Sequence, residues 1–128
     1  MVGTAILIFA LLFIGANNFT EGLNPLVVGA LIMAIGFSLG GTTGFAINPA
    51  RDFGPRLAHF LMPIKGKGTS DWGYAFIPIL GPILGGLIGA ASYQMFYKSE
   101  FLVQYWVVIG LGILVLLTAV YKNVKSES

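Results

Sequence analysis

The chain has 128 residues, of which 56% are hydrophobic and 9% charged, and its formal net charge is +2. Soluble domains carry roughly 25% charged residues, so this composition indicates an integral protein of the cell membrane. The charge is small and scattered, which gives no reason to expect nucleic acid as a partner. The sequence contains no cysteine, which excludes disulfides and thiolate metal sites.

Apolar runs separated by polar turns predict an all-α fold that crosses the membrane several times. Full spans are predicted over about residues 2–16, 25–39 and 74–97. At about 1.5 Å per residue the first run is shorter than the roughly 30 Å hydrocarbon core, so we expect its first helical turn to lie upstream of Met1. A signal peptide is the alternative for this run, but no basic residue precedes it.

A glycine- and threonine-rich segment over 40–47 departs from helix between the second and third predicted spans. Irregular backbone at membrane depth is tolerated only where it is buried in protein or lines water. Asn48 is a good N-cap and Pro49 suits the first helical position, so a helix is predicted over 49–61. At about 1.5 Å per residue this helix reaches only about halfway across a bilayer. The pattern therefore predicts a re-entrant half-helix.

A further apolar run covers about 101–121, after the third predicted span. It is long enough to cross a bilayer, and it begins with Tyr105 and Trp106, which suit a membrane interface. The sequence leaves open whether this extra hydrophobic helix spans the membrane or lies along its surface. The remaining residues, 122–128, are expected to form a mobile polar tail. The chain is thus divided into a first part, 1–97, and an addition, 98–128, made of the extra helix and this tail.

Arg51 and Asp52 stand in the first turn of the predicted half-helix. Ionisable residues at membrane depth usually face a wet pathway, a binding site or a partner charge. The Arg51 guanidinium carries five donors in a fixed geometry. We interpret it as a residue that faces a lumen. The structural alternative is a pairing with the adjacent Asp52 or with backbone carbonyls. Both interpretations hold together if Asp52 supports Arg51.

The sequence Asn48-Pro49-Ala50-Arg51-Asp52 follows a glycine-rich exit from a span and opens a half-length helix. It resembles the second signature of the major intrinsic proteins, the aquaporin and glycerol-facilitator family. The sequences around it, Gly44-Phe45-Ala46, Phe53-Gly54-Pro55 and Gly81-Pro82, are similar to the same region of bacterial glycerol uptake facilitators. The resemblance covers roughly residues 1–97 and implies the second inverted repeat of an aquaporin-like helical bundle, without the first repeat and its own Asn-Pro-Ala.

The resemblance also implies a pore and the residues that line it. Donors would come from the Asn48 amide and the Arg51 guanidinium. Acceptors would come from a ladder of backbone carbonyls over 44–46, that is, Gly44, Phe45 and Ala46. Pro49, Ala50 and Asp52 would support the motif.

Two positions bear on selectivity in the family's pattern. Phe45 corresponds to an aromatic wall of the narrow filter, and Gly36 to a position where water-selective members commonly carry histidine. A glycine leaves room, and an aromatic face beside Arg51 suits a linear polyol such as glycerol. Core packing is the alternative role for Phe45, and close helix contact is the alternative for Gly36.

The function that the resemblance implies is a passive channel for glycerol and related small neutral solutes, with some water flux, in a homotetramer within the lipid bilayer. No enzyme activity, metal or other cofactor is expected, and His59 is interpreted as a surface or packing residue near the outer mouth. The pore needs an N-terminal repeat, either upstream or on a second chain. The alternatives are a half-sized protein that acts only by pairing, or a subunit that does not conduct.

Overall fold

The structure, a computed structural model, describes residues 1–127, and this part of the chain contains helices and no strand. The helices in chain order are α1 (Val2–Gly15), α2 (Leu23–Leu39), α3 (Pro49–Leu61), α4 (Phe76–Phe96) and α5 (Val103–Glu127). Helix α4 contacts α1, α3 and α5, and α2 contacts α1. The fold is therefore a helical bundle arranged around α4.

Glycines on one face of α4 allow α1 and α4 to pack closely. A Cβ atom added at Gly85 would collide with the carbonyl oxygen of Met1, and one added at Gly89 would collide with the carbonyl oxygen of Ala5. Small residues let two helix backbones approach each other in this way. The four-residue glycine spacing of the sequence is thus used at the α1–α4 contact.

Much of the apolar surface of the described residues is exposed. The side chain of Phe37 on α2 is 87% exposed, and that of Val103 on α5 is 78% exposed. Helix α4 and the Val103–Lys125 part of α5 are long and apolar enough to cross a membrane, whereas α1 and α2 are shorter apolar helices. Such a surface requires lipid or further helices around it.

The predicted tail is partly wrong. Helix α5 continues to Glu127, beyond the predicted end of the apolar run at 121. Residues 122–127 contain neither glycine nor proline, so nothing local stops a helix that adds one hydrogen bond for each further residue. Ser128 lies outside the described residues.

Hydrogen bonds within the irregular segment between α2 and α3, and from α1, hold it in place. The Phe45 N–H donates to the Gly40 carbonyl at 3.0 Å, and the Ile47 N–H donates to the Phe45 carbonyl at 2.9 Å. The Thr4 hydroxyl of α1 donates to the Ile47 carbonyl at 2.9 Å. Because Thr4 is buried, this bond joins the segment to the interior of the bundle.

Candidate functional site

Asn48 ends the irregular segment and begins α3. Its backbone is extended, with φ −141° and ψ 131°, and Pro49 takes the first helical position. The side-chain oxygen of Asn48 accepts a hydrogen bond from the Ala50 N–H at 2.9 Å. Within residues 1–127 the Asn48 amide NH₂ makes no hydrogen bond. The cap therefore uses the oxygen and leaves two amide donors unengaged.

Phe45 packs against Gly36 of α2. A Cβ atom added at Gly36 would lie 3.3 Å from Cε2 and 3.5 Å from Cζ of the Phe45 ring. Phe45 itself has a left-handed backbone conformation, with φ 63°. This conformation is rare for a bulky residue, and such strain is often found at functional sites. The ring position thus depends on the absence of a side chain at residue 36.

The Arg51 guanidinium lies over the face of Phe45. The distance from Arg51 Cζ to the centre of the Phe45 ring is 5.8 Å, within the range of a cation–π interaction. Arg51 is exposed, and among the described residues it makes no hydrogen bond and no ion pair. Gly36, Phe45 and Arg51 therefore form a stack that presents free guanidinium donors beside an aromatic face.

The backbone carbonyls of the expected ladder differ in their partners. The Phe45 carbonyl accepts from the Ile47 N–H. No described residue donates a hydrogen bond to the carbonyl of Gly44 or of Ala46. A carbonyl oxygen has two lone pairs, so all three retain capacity for a further donor.

Asp52 does not support Arg51, which corrects that expectation. Its carboxylate accepts from Arg56, from Nε at 2.9 Å and from Nη2 at 3.0 Å. Arg56 Nη1 also donates to the carbonyls of Ser70 and Asp71, at 2.6 Å each. The reason is helix geometry, because residues four apart share a face of a helix and adjacent residues do not.

The segment after α3, residues 62–75, runs back along the helix, and we call it the strap. Lys67 Nζ donates to the carbonyls of His59, Phe60 and Met62 at 2.7, 2.9 and 2.7 Å. These are carbonyls at the C-terminal end of α3, where a lysine ammonium can replace the missing backbone donors. Lys67 therefore ties the strap to the end of the half-length helix.

Aromatic and histidine contacts attach the strap along the rest of α3. Trp72 lies edge-on to Phe53 and Phe60, with ring centres 6.1 and 5.5 Å apart. His59 Nδ1 lies 2.9 Å from the Ser70 hydroxyl. His59 is half-buried, which is compatible with either a surface or a packing role.

An open cleft of about 590 Å³ lies between α3 and the strap. It is lined by polar side chains and includes both arginines; the lining residues are Arg51, Asp52, Pro55, Arg56, His59, Thr69, Ser70 and Asp71. No cluster of three or more His, Cys, Asp or Glu side chains suited to a metal ion occurs among the described residues.

Sequence reasoning missed four residues that build this region. Arg56 was detectable, because Asp52 and Arg56 stand at the i, i+4 spacing of a helical ion pair. Thr4 was detectable as the one hydroxyl within the apolar α1. Nothing in the sequence pattern indicated the contacts of Lys67 and Trp72, which depend on the path of the strap.

The fold and the site define an all-α, multi-pass membrane protein with a capped half-length helix beside an irregular segment that carries polar groups. Residues 1–93 match the model of the family described as major intrinsic protein. The chain belongs to that family.

Several bacterial glycerol uptake facilitators are closely similar in sequence to this chain. The glycerol uptake facilitator protein of Bacillus subtilis is 55% identical over 128 residues, which is 100% of this chain and 46% of the relative. The probable glycerol uptake facilitator protein of Thermotoga maritima is 58% identical over 97 residues, 76% of this chain and 42% of the relative. Glycerol uptake facilitator protein 3 of Lactiplantibacillus plantarum is 59% identical over 95 residues, which is 74% of this chain and 40% of the relative.

The chain spans less than half the length of each of these relatives. No solved structure matches it significantly. What the comparisons establish for this chain is therefore its family and its membrane character.

Proposed function

We propose that the chain forms half of a passive channel for glycerol and related small neutral solutes, and that it is not an enzyme. The observation that carries this proposal is the stack of Arg51 over Phe45 over Gly36. Its guanidinium offers hydroxyl-binding donors, and its ring offers an apolar face to a carbon chain. A linear polyol matches both surfaces at once. The similarity to glycerol uptake facilitators supports glycerol as the solute.

A short path of weak sites leads from this stack to the start of α3. Among residues 1–127, no donor reaches the carbonyls of Gly44 and Ala46, and no acceptor reaches the Asn48 amide NH₂. Together they can replace the water around a permeating hydroxyl, and weak sites in series permit both entry and exit. We expect some water to follow the same path.

Positive charge at this site would exclude cations and protons. Arg51 carries a permanent charge, and it stands in the first turn of α3, where the helix dipole is positive. Both charges act on the same short region. A neutral solute meets no such barrier, which supports a channel selective for uncharged molecules.

A complete pore needs a second wall. The chain spans 46% or less of the relatives described above. Beside Asn48 and Pro49 lies a largely apolar cleft of about 520 Å³ that also contacts α1, α2 and α4. We infer that this cleft receives a second half-helix from an N-terminal repeat, with 1–97 as the second repeat and α3 as its re-entrant helix. The resemblance to the family implies a homotetramer of complete pores.

The alternative is a half-sized membrane protein that conducts only when two copies, or this chain and another, pair. The exposed apolar surface of α2 is compatible with such pairing, since Phe37, Leu26 and Met33 are 87, 69 and 61% exposed. The same surface would serve an N-terminal repeat. An experiment must therefore compare the chain alone with a longer protein.

Stopped-flow light scattering on proteoliposomes makes that comparison. The longer protein is this chain joined to the part of the Bacillus subtilis relative that the match leaves uncovered, and we call it the two-repeat protein. We expect glycerol flux well above that of empty liposomes from the two-repeat protein, and none from the chain alone. The two-repeat protein with Arg51→Ala is the control for passage through the proposed site.

Two outcomes would change the proposal. Glycerol flux from the chain alone would establish pairing of half-sized copies. A correctly folded two-repeat protein that passes water and no glycerol would contradict the proposed solute.

A further inference from the structure

We propose that α5 is an additional transmembrane helix at the edge of the bundle, with most of its surface in contact with lipid acyl chains. It would carry the C-terminal residues to the opposite side of the membrane from the turn at residues 97–102. The Val103–Lys125 part of α5 has 23 residues, and an 18-residue window within it has a mean hydropathy of 2.2. At about 1.5 Å per residue this part is about 35 Å long. That length matches a hydrocarbon core of about 30 Å.

The apolar residues of α5 surround the helix. Helices that lie in the membrane surface carry a strongly charged or polar face opposite an apolar one. Between Val103 and Tyr121 there is no charged residue. Large exposed side chains cover most of the circumference outside the Gly112 contact, namely Val107, Leu111, Ile113, Leu114, Val115, Leu116, Leu117 and Val120. A helix that is apolar on all sides belongs inside an apolar medium.

Both ends of α5 carry residues suited to a membrane interface. Tyr105 and Trp106 stand near its beginning, and Tyr121 and Lys122 stand near its end. Aromatic rings are enriched at both interfaces of a bilayer, and lysine side chains near helix ends extend towards the head groups. The two anchors are separated by an uninterrupted apolar stretch, which favours a spanning orientation over a tilted surface one.

The contact between α5 and α4 is narrow. Gly112 is buried, and a Cβ atom added there would lie 2.5 Å from Cδ1 of Ile88 on α4. Only 6% of the apolar window of α5 is buried in the bundle. The close approach at Gly112 lies within the contact between α5 and α4, and most of the remaining surface of α5 is left for lipid.

Helix α5 lies outside the part of the chain that matches the family model. The family match ends at residue 93, before α5 begins at Val103. The match to the Bacillus subtilis relative includes 100% of this chain, and therefore α5. The helix is an addition that at least one relative shares. This inference does not depend on which solute the pore conducts.

Single-cysteine labelling tests the topology, and the chain's lack of native cysteine makes each introduced thiol unique. The variants are Gly68→Cys in the strap, Ser99→Cys in the turn after α4, and Lys125→Cys near the end of α5. Each is expressed in the full 128-residue chain in sealed membrane vesicles and treated with a membrane-impermeant maleimide before and after permeabilisation.

We expect position 125 to be labelled from outside to the same extent as position 68, and position 99 to the complementary extent. The vesicles are prepared from the expressing cells with one sidedness, so that the chains share one orientation, because an equal mixture of orientations would label all three positions alike. Equal labelling of positions 125 and 99 would overturn the proposal, because α5 would then begin and end on one side. Equal labelling of all three positions would overturn it as well.

Fluorescence quenching tests lipid as the neighbour of α5. In a chain with Trp72→Phe and Trp106→Phe, the variant Leu114→Trp places the only indole at the middle of the helix. Bromine atoms deep in the acyl chains should quench this indole more strongly than bromine atoms near the head groups. Stronger quenching by bromine near the head groups would indicate a surface helix. Weak quenching by both kinds of brominated lipid would indicate that protein covers this part of α5. Either result would overturn the proposal.

Discussion

Arg51 and Arg56 carry the same charge on the same short helix, yet their surroundings differ completely. Arg56 donates to both carboxylate oxygens of Asp52 and to the carbonyls of Ser70 and Asp71. Arg51 is exposed and contacts the ring of Phe45, with no hydrogen bond or ion pair among the described residues. One guanidinium is engaged by a carboxylate and two backbone carbonyls, and the other has no hydrogen-bond acceptor among the described residues.

The difference follows from the geometry of a helix. Residues five apart are separated by about 140° around the axis at 3.6 residues per turn. Arg56 therefore faces the strap when Arg51 faces the irregular segment. Because Arg56 and Lys67 fix the strap to α3, the helix that carries Arg51 has a defined position. In this account the face of α3 whose polar groups are hydrogen-bonded to the strap keeps the helix rigid. This rigidity fixes the position of the opposite face, where Arg51 has no hydrogen-bond partner.

Replacement of Arg51 should have the largest effect. In the two-repeat protein, Arg51→Ala should raise cation or proton permeability roughly tenfold or more, because a barrier lowered by about 1.4 kcal/mol raises a rate tenfold. Arg51→Lys keeps the charge and loses the planar fork, so it should still exclude cations but conduct glycerol more slowly. Ion flux and glycerol flux in proteoliposomes measure both. Unchanged selectivity in Arg51→Ala would remove Arg51 from the proposed filter.

Replacement of Arg56 should lower the stability of the protein and leave its selectivity largely unchanged. Arg56→Ala leaves the Asp52 carboxylate and the Ser70 and Asp71 carbonyls without their donor, so we expect a lower unfolding temperature in detergent and earlier proteolysis in the strap. Asp52→Asn should give a smaller decrease of the same kind. Folded Arg56→Ala protein in liposomes should still exclude cations. A loss of cation exclusion at unchanged stability would mean that the two arginines share one function.

Substitution at Gly36 should act on Arg51 through Phe45. A methyl group at this position would lie 3.3 Å from the ring, so Gly36→Ala should lower glycerol flux slightly. Gly36→His must displace the ring and should lower glycerol flux much more than water flux. Stopped-flow permeabilities for both solutes give the ratio. An equal loss of both fluxes would indicate that Gly36 serves helix packing only.

The smallest effect should come from the bond between Thr4 and Ile47. Thr4→Val removes a hydrogen bond that holds the irregular segment, and a typical buried bond contributes about 1 kcal/mol to stability. Thr118→Val is the matched control, because the Thr118 hydroxyl bonds within its own helix, to the Val115 carbonyl. Unfolding by denaturant in detergent should distinguish them. Equal stability of the two variants would show that Thr4 does not anchor the segment.

Local signals in the sequence predicted the elements of the site well. The N-cap residue Asn48 and the following Pro49 located the start of α3, and the glycine- and threonine-rich segment predicted the irregular backbone. These features depend on residues next to one another in the chain. The stack of Gly36, Phe45 and Arg51 was suggested by family resemblance, since no periodic pattern connects the three positions.

Contacts made at a distance in the chain could not be predicted in the same way. Asp52 had two basic neighbours, Arg51 and Arg56, and only the rotation of α3 decides between them. The carbonyl partners of Lys67 depend on where the strap turns back. The end of α5 was missed because a loss of apolar character at residue 122 does not by itself end a helix.

The most direct test of the account is a structure of the two-repeat protein with glycerol bound. We predict glycerol hydroxyls within hydrogen-bond distance of the Arg51 guanidinium, with the carbon chain against Phe45, and Arg56 still paired with Asp52. An Arg51 guanidinium occupied by a carboxylate or carbonyl of the first repeat, with glycerol elsewhere, would contradict the account.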